Sequence, residues 1–330
     1  MKVGLVFRSK ERNEPSIEAF FSTLRKYIQE GFSTEDFFLP RGRYNRISCL
    51  LQNYRYAKKI EADVYHITGE VNFVASAFPK QKTIITVHDY VDLETMKGIK
   101  RFIRWLFWCY IPYKHCRFIA CVSNKTLRET ISQFPFTKEK AVYIPNSIDD
   151  TYVKRPKEFN SQYPRILAIG TRENKNLERT IEALKNISCE LYIIGVLSGE
   201  QKELLKKNEV NYTNVHHISN EEVLQAYYDC DMLCFPSTYE GFGRPITEAN
   251  AVGRPVITSN IEPLIEVANG AAVLVDPYDV NSIRSGILRI IEDSSLREEL
   301  VNKGFKNAEK YRAEKVANMY AHLYKTITDE

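Results

Sequence analysis

Short apolar runs alternate with amphipathic segments almost to the end of this 330-residue chain. In the first half, residues 2–7 (KVGLVF), 63–68 (DVYHIT), 83–87 (TIITV), 117–122 (RFIACV) and 141–145 (AVYIP) predict strands. In the second half the same is predicted for 165–170 (RILAIG), 190–195 (ELYIIG), 214–218 (NVHHI), 231–236 (DMLCFP), 254–258 (RPVIT) and 271–275 (AAVLV). Helical spacing lies between them, for example in 17–28, 176–184 and 221–228, and three helical segments close the chain, the last at 313–327. Strands that alternate with helices imply parallel sheets covered on both faces, an α/β fold. The pattern resets over 150–164 (DTYVKRPKEFNSQYP), a polar stretch with Pro156 and Pro164 and no periodicity, which reads as a linker between two Rossmann-like domains.

Length agrees with two domains rather than one core. No apolar run approaches the ~18 residues of a membrane span, and MKVGLVFRSK reads as a first strand rather than a signal peptide. Seven cysteines form no C-x-x-C pair, which suits reduced thiols and a cytoplasmic protein. The net charge of +4 divides into +8 over residues 1–150 and −4 over the remainder. A basic half can attract phosphates, anionic lipid or nucleic acid, but no recognisable nucleic-acid module is present, so no nucleic-acid partner is expected.

The stretch 235–258, FPSTYEGFGRPITEANAVGRPVIT, places Gly241 and Gly243 in a loop between a strand and a short helix, 245–252. Pro245 suits the first helical position. A helix start offers unpaired N–H groups and a partial positive charge, which suit a phosphate, and glycines let a ligand come close to the backbone. Glu240 and Glu248 bracket that start. The arrangement fits a sugar nucleotide, with phosphate in the middle and hydroxyls at both ends; plain turn chemistry, with Glu248 as a dipole partner, accounts for it equally well on physics alone.

Residues 237–280, with EGFG-x-P, EA-x-A-x-G-x-PVI-x-S, EV-x-x-x-AA and DP-x-D in order, resemble a retaining glycosyltransferase of family 4, the E-x(7)-E type found among bacterial polysaccharide and lipopolysaccharide glycosyltransferases. The first half extends the resemblance through TVHD (86–89), CVSNKT (121–126) and IPNSID (144–149). It implies the GT-B fold, two Rossmann-like domains whose parallel sheets face a central cleft. The expected division is 1–155 on the acceptor side, 156–310 on the nucleotide-sugar donor side, and a C-terminal helix at 311–330 packing back toward the first domain.

The resemblance assigns Glu240 to the donor sugar near the reacting carbon, with Gly241, Phe242 and Gly243 around the hexose. It assigns Glu248 to the ribose and the N–H groups of Ile246 and Thr247 to the diphosphate. Arg172 and Lys175, after the first strand of the second domain, match the family's basic pair that neutralises the departing diphosphate. The stretch before Lys175-Asn176 is one residue shorter than the common family spacing, which touches Arg172 more than Lys175. His88 in TVHD matches a histidine that contacts the donor sugar. His66, at another strand end, reads as a cleft-wall residue, and His216 and His217 fall in a strand with no role. The resemblance departs from the family after the first strand. FRSKERNEPSIEAF has no glycine between Gly4 and Gly31, so Arg8, Ser9 or Lys10 would have to supply the contacts of the family's glycine-rich loop. That absence also argues against a nicotinamide dehydrogenase.

The implied reaction moves a hexose, mannose by a slight lean, from a nucleotide-diphosphate sugar to a glycan or lipid-linked acceptor with an α-linkage. Neither metal nor any cofactor beyond the co-substrate is expected. A synthase or phosphorylase acting on a free sugar or sugar phosphate, and a non-catalytic sugar-nucleotide-binding partner subunit, stay open as alternatives. Residues 96–118, MKGIKRFIRWLFWCYIPYKHCRF, hold six Lys or Arg among aromatics and no acidic residue. Such a helix either covers the sheet with its aromatics inward or rests on an anionic membrane at the inner face of the cytoplasmic membrane.

Overall fold

The computed structural model describes residues 1–12, 16–28 and 31–328. They include two six-stranded, wholly parallel sheets, each in its own compact unit. The first unit runs from Met1 to Ser147 and takes up the chain again from Ala313; the second runs from Ile148 to Arg312.

In the first unit the strands are β1 (Lys2–Phe7), β2 (Ser33–Phe38), β3 (Val64–Ile67), β4 (Thr83–Val87), β5 (Phe118–Cys121) and β6 (Ala141–Tyr143), in the order β2-β1-β3-β4-β5-β6. The central strands β3 and β4 are buried at every position, as their unbroken apolar runs require when helices cover both faces. One face packs beneath the helix Ser16–Arg25 and the returning helix Ala313–Thr328, through Phe20, Phe21, Tyr320 and Tyr324.

The second unit contains β7 (Arg165–Ile169), β8 (Glu190–Ile194), β9 (Tyr212–Val215), β10 (Met232–Phe235), β11 (Val256–Ser259) and β12 (Val273–Val275), in the order β12-β11-β10-β7-β8-β9. In each sheet the chain leaves its first strand to one side and later returns to the other. The reversal lies between β1 and β3 in one unit and between β7 and β10 in the other. Ligands of open parallel sheets bind just beyond the carboxyl ends of the strands at such reversals. Those positions are occupied by the segments after Phe7 and Ile67, and by those after Ile169 and Phe235.

Three readings of the sequence change. Strand β2 was not expected, because STEDFF is an edge strand with no fully buried position, and its charges disguise the apolar face. Strand β9 ends at Val215, so His216 and His217 lie beyond it, exposed, with their Nδ1 atoms 2.9 Å apart. The polar stretch after residue 150 has no regular structure, yet it is pinned to the second unit. Asp231 accepts from Lys157 and from the backbone N–H groups of Asn160 and Arg165.

Candidate active site

At the reversal of the second sheet, two segments leave adjacent strands and bind each other. After β7, Gly170 takes φ +89°, and a Cβ there would stand 2.8 Å from Lys175 Cγ. Only glycine lets the lysine stem cross the strand end so closely. Lys175 closes a 3₁₀ turn (Glu173–Lys175), and its Nζ reaches Glu240 Oε1 at 2.5 Å, 4.9 Å above the ring of Phe235. Glu240 is 13% exposed and Lys175 22%. The two residues lie 65 apart in sequence.

The pair is held by a polar zipper between the segments. Asn174 Nδ2 donates to the Tyr239 carbonyl at 3.0 Å, and the Thr238 N–H donates to the Asn174 carbonyl at 2.8 Å. Asn176, buried and left-handed at φ 60°, donates to the carbonyls of Pro236 and Pro277. Asparagine tolerates that conformation better than most residues. Neither Asn174 nor Asn176 was singled out from the sequence, although both flank Lys175 in ENKN.

Beyond Glu240 the chain enters the helix Arg244–Val252 through Gly243 at φ +104°. A Cβ at Gly243 would stand 2.6 Å from Leu264 Cδ2, so this glycine serves both the dihedral and the packing. Gly241 is half-buried in the loop. Phe242 is buried and packs edge-on against Tyr311, which makes it an anchor of the loop. Ile246 and Thr247 are buried as well; Thr247 Oγ1 donates to the Arg244 carbonyl. The Ile246 N–H, expected to meet a diphosphate, donates to the Gly243 carbonyl at 3.1 Å. With Pro245 lacking a donor, Arg244 supplies the first-turn N–H that has no intrahelical acceptor.

Glu248 follows one turn later, 7% exposed. The buried Tyr227 hydroxyl donates to its Oε2 at 2.8 Å, and Arg244 Nη2 lies 3.1 Å from its Oε1. Burial and the adjacent Glu248 carboxylate push the Tyr227 phenol well above its ordinary pKa, so it keeps the proton it donates to Glu248. Tyr227 was not read from the sequence; its position in EEVLQAYY shows only helical periodicity. Arg172 is exposed at the mouth of the 3₁₀ turn, three residues before Lys175. Among the described residues no group of three or more His, Cys, Asp or Glu is placed to hold a metal.

In the first unit, His88 follows β4, and its Nε2 lies 2.8 Å from the Thr68 carbonyl. That contact requires the proton on Nε2 and leaves Nδ1 as the acceptor. Burial lowers its pKa, which favours the neutral ring. Arg8 is buried and paired with Glu18 and Glu70, the Ser9 N–H donates to the Tyr44 hydroxyl, and Lys10 lies over the Phe38 ring. The rest of that segment, residues 13–15, lies outside the described residues. His66 does not line a cleft: it is fully buried between Thr86 and Tyr324, each 2.7 Å from a ring nitrogen.

Comparison with known proteins identifies the family. Residues 150–307 match the family model described as glycosyl transferases group 1, and residues 6–152 match that of glycosyltransferase family 4. The chain belongs to these glycosyltransferases. The O-antigen chain mannosyltransferase B of Escherichia coli is 27% identical over 234 residues, 64% of this chain and 61% of the relative. The capsular polysaccharide biosynthesis glycosyltransferase CapM of Staphylococcus aureus is 26% identical over 289 residues, 79% and 75% of the two chains. The chain thus spans about three fifths of the first relative's length. Among solved structures, sucrose-phosphate synthase from Thermosynechococcus elongatus superimposes with a TM-score of 0.81 at 17% identity, over 100% of this chain and 99% of that one. HepE of Anabaena, in complex with UDP and glucose, gives 0.78 at 15%, over 99% and 100%. At these identities the likeness establishes the GT-B fold.

Proposed function

We propose that this protein transfers a hexosyl group, mannosyl by the names of its relatives, from a nucleotide-diphosphate sugar to a glycan or lipid-linked acceptor in cell-surface polysaccharide synthesis. The observation that carries the reading is the Lys175–Glu240 contact of 2.5 Å at the sheet reversal, beside the start of the helix Arg244–Val252. A cation, a carboxylate and a helix N-terminus converge where a diphosphate sugar would need all three. In this reading the diphosphate draws Lys175 Nζ toward its oxygens and the Arg244 N–H meets a second oxygen. Glu240 is then released to the sugar. Glu248, its Oε2 held by Tyr227, offers Oε1 to the ribose diol in place of Arg244.

Departure of the diphosphate is the largest change of charge in the reaction. Fixed positive groups aimed at it lower the barrier without reorganising. In a retaining course the leaving oxygen also takes the proton of the incoming hydroxyl on the same face, so the chain need supply no covalent nucleophile and no metal. His88, with Nδ1 as its acceptor, would hold a sugar hydroxyl. Arg172 would add charge near the leaving group.

Thermal stabilisation by a panel of nucleoside diphosphates, in wild type and Glu248→Ala, tests this. Binding to the folded state raises Tm by mass action. One base should give a clear rise that the variant loses; no rise with any nucleotide would sink the reading. Product anomers assigned by NMR, and turnover in the presence of a chelator, test retention and metal independence.

We further propose peripheral contact with an anionic membrane on the cytoplasmic side, through the helical run Gly98–Lys114. Its support is a row of exposed apolar side chains, Ile99, Phe102, Ile103, Phe107 and Ile111, set among Lys97, Lys100 and Arg101. No helix among the described residues is long and apolar enough to cross a membrane.

A further inference from the structure

The second unit has a cavity at the end of its sheet opposite Lys175 and Glu240. Asp231 and Pro255, in its wall, stand directly before β10 and β11, so this is the amino end of both strands. The cavity measures about 360 Å³ and is walled by three segments. The connecting stretch contributes Lys154, Lys157 and Phe159, and Arg254 comes from the turn between the helix Arg244–Val252 and β11. The helix Ser294–Ala308 contributes Arg297, Val301 and Phe305, which recur every four residues and therefore share one face. The donor reading uses none of these residues.

Three of the four cations in this wall pair with no carboxylate among the described residues. Lys154 Nζ stands 4.5 Å from the centre of the Phe305 ring and makes no hydrogen bond there. Arg297 lies 4.3 Å over the Phe159 ring and donates through Nη1 to the carbonyls of Ile290 and Ile291, both at 2.8 Å. Arg254 is 2% exposed; its Nη1 and Nη2 donate to four backbone carbonyls, and its Nε has no partner. Burial lowers the Arg254 pKa, as it does for a cation whose charge is not fully offset. Asp231 does not make up the difference. It is 4% exposed and already accepts from Lys157 and from the N–H groups of Asn160 and Arg165. Glu298, the other acid of the wall, is exposed.

Charge and size together decide what the cavity takes. Four cations against two carboxylates leave the wall at +2. A phosphate monoester carries about −1.5 to −2 near neutral pH, which answers that excess. At ~30 Å³ per water the space would hold about a dozen waters, far more than a bare phosphate fills. The rest of the ligand must meet an apolar wall, and part of that wall is fixed. Gly253 has φ +84°, and a Cβ there would stand 2.6 Å from Phe305 Cζ, so only glycine lets that ring sit where it does. Apolar walls with a few placed charges are the usual make-up of a small-molecule site. We propose that this cavity binds a phosphate monoester carried on a ring-shaped apolar body, the phosphate taken by Lys154 and Arg297 and the ring by Val301 and Phe305. It is a second ligand site, at the other end of the sheet from the candidate active site.

The experiment is isothermal titration of the full chain with three probes: phenyl phosphate, inorganic phosphate and phenol. Phenyl phosphate should bind about tenfold or more tighter than inorganic phosphate, the worth of burying its ring, and phenol should give no measurable binding. Lys154→Glu breaks no hydrogen bond and reverses one charge, so it should fold as wild type does. It should weaken phenyl phosphate about ten- to hundredfold, the worth of one charged contact. Arg297→Gln should weaken it in the same direction; if that variant fails to fold, Lys154→Glu still decides. Lys175→Met, at the other end of the sheet, should bind phenyl phosphate as wild type does. No binding of phenyl phosphate overturns the proposal, as does a Lys154→Glu protein that binds it as tightly as wild type. Loss of binding in Lys175→Met also overturns it, because the probe then sits in the donor site. Inorganic phosphate that binds as tightly as phenyl phosphate, or phenol that does, overturns it too, since the cavity would then take the bare anion or the bare ring.

Discussion

Lys175 and Glu240 neutralise one another in the ligand-free protein, and that sets what each substitution does. Lys175→Met keeps the stem over Gly170 but leaves Glu240 without its cation and the leaving group without its nearest positive charge. The expected result is a fall in kcat of about 10²–10³, the usual cost of one preorganised electrostatic group. Donor KM should change far less, and exposed Arg172→Met should cost less than Lys175→Met. Single-turnover rates with saturating donor separate the cases; a Lys175→Met enzyme within twofold of wild type would remove the lysine from the mechanism. The candidates Glu240 and Glu248 were legible because one motif marks them in consecutive sequence, and Lys175 because a second stretch, 65 residues before Glu240, resembles the family's basic pair. Their supports were not. Asn174, Asn176 and Tyr227 act through contacts 21 to 101 residues away in the chain, and nothing local distinguishes such an asparagine or tyrosine from a surface one.

Among the elements, the helical run Gly98–Lys114 shows how a hydrophobic count can be right and its direction open. Residues Trp105–Tyr110 form a π-helix, with the wider i→i+5 bonding that re-phases one side of a helix against the other. Asn72 Nδ2 donates to the Trp108 carbonyl, and Trp108, Cys109 and Tyr113 turn into the core. Ile99, Ile103, Phe107 and Ile111, four apart, remain outside. The aromatics of this stretch therefore divide between core and solvent, so a helix with all its aromatics inward is not what residues 96–118 form. Sedimentation with vesicles containing phosphatidylglycerol should show binding that weakens as salt rises, since each basic residue near an anionic surface is worth about 1 kcal/mol. Phe102→Ser with Phe107→Ser should lose binding at all salt concentrations, whereas Lys100→Glu with Arg101→Glu should lose it most at moderate salt. Absence of wild-type binding at low salt would end the membrane reading. Other elements were plain from pattern where both faces are buried, as in β4 and β10, and hidden where one face meets water, as in β2.

At the scale of the whole molecule, the last helix returns to the unit in which the chain began, and one buried imidazole records that return. His66 Nδ1 meets the Tyr324 hydroxyl and Nε2 meets Thr86 Oγ1, whose hydroxyl lies 3.2 Å from that of Tyr320. The contact joins residues 258 positions apart, which is why a histidine at a strand end reads from sequence as a cleft residue. Burial, with a smaller contribution from His88, pushes the His66 pKa down to about 3. An unfolded histidine titrates near 6.5. Between those values the unfolded chain binds a proton that the folded chain refuses. The stabilisation is therefore complete above pH 6.5 and is lost as the pH falls toward 3, at about 1.4 kcal/mol per unit. Lowering the pH from 7 to 5 should cost wild type about 2 kcal/mol from this residue alone. His66→Gln is less stable at pH 7, because it fills the site with worse geometry, but it has no proton to refuse. Its stability should fall less steeply, so the two denaturation curves draw together as pH drops. Urea unfolding of both proteins at pH 7, 6 and 5 measures the gap, and a gap that stays constant would mean that His66 is protonated as easily inside the fold as out of it.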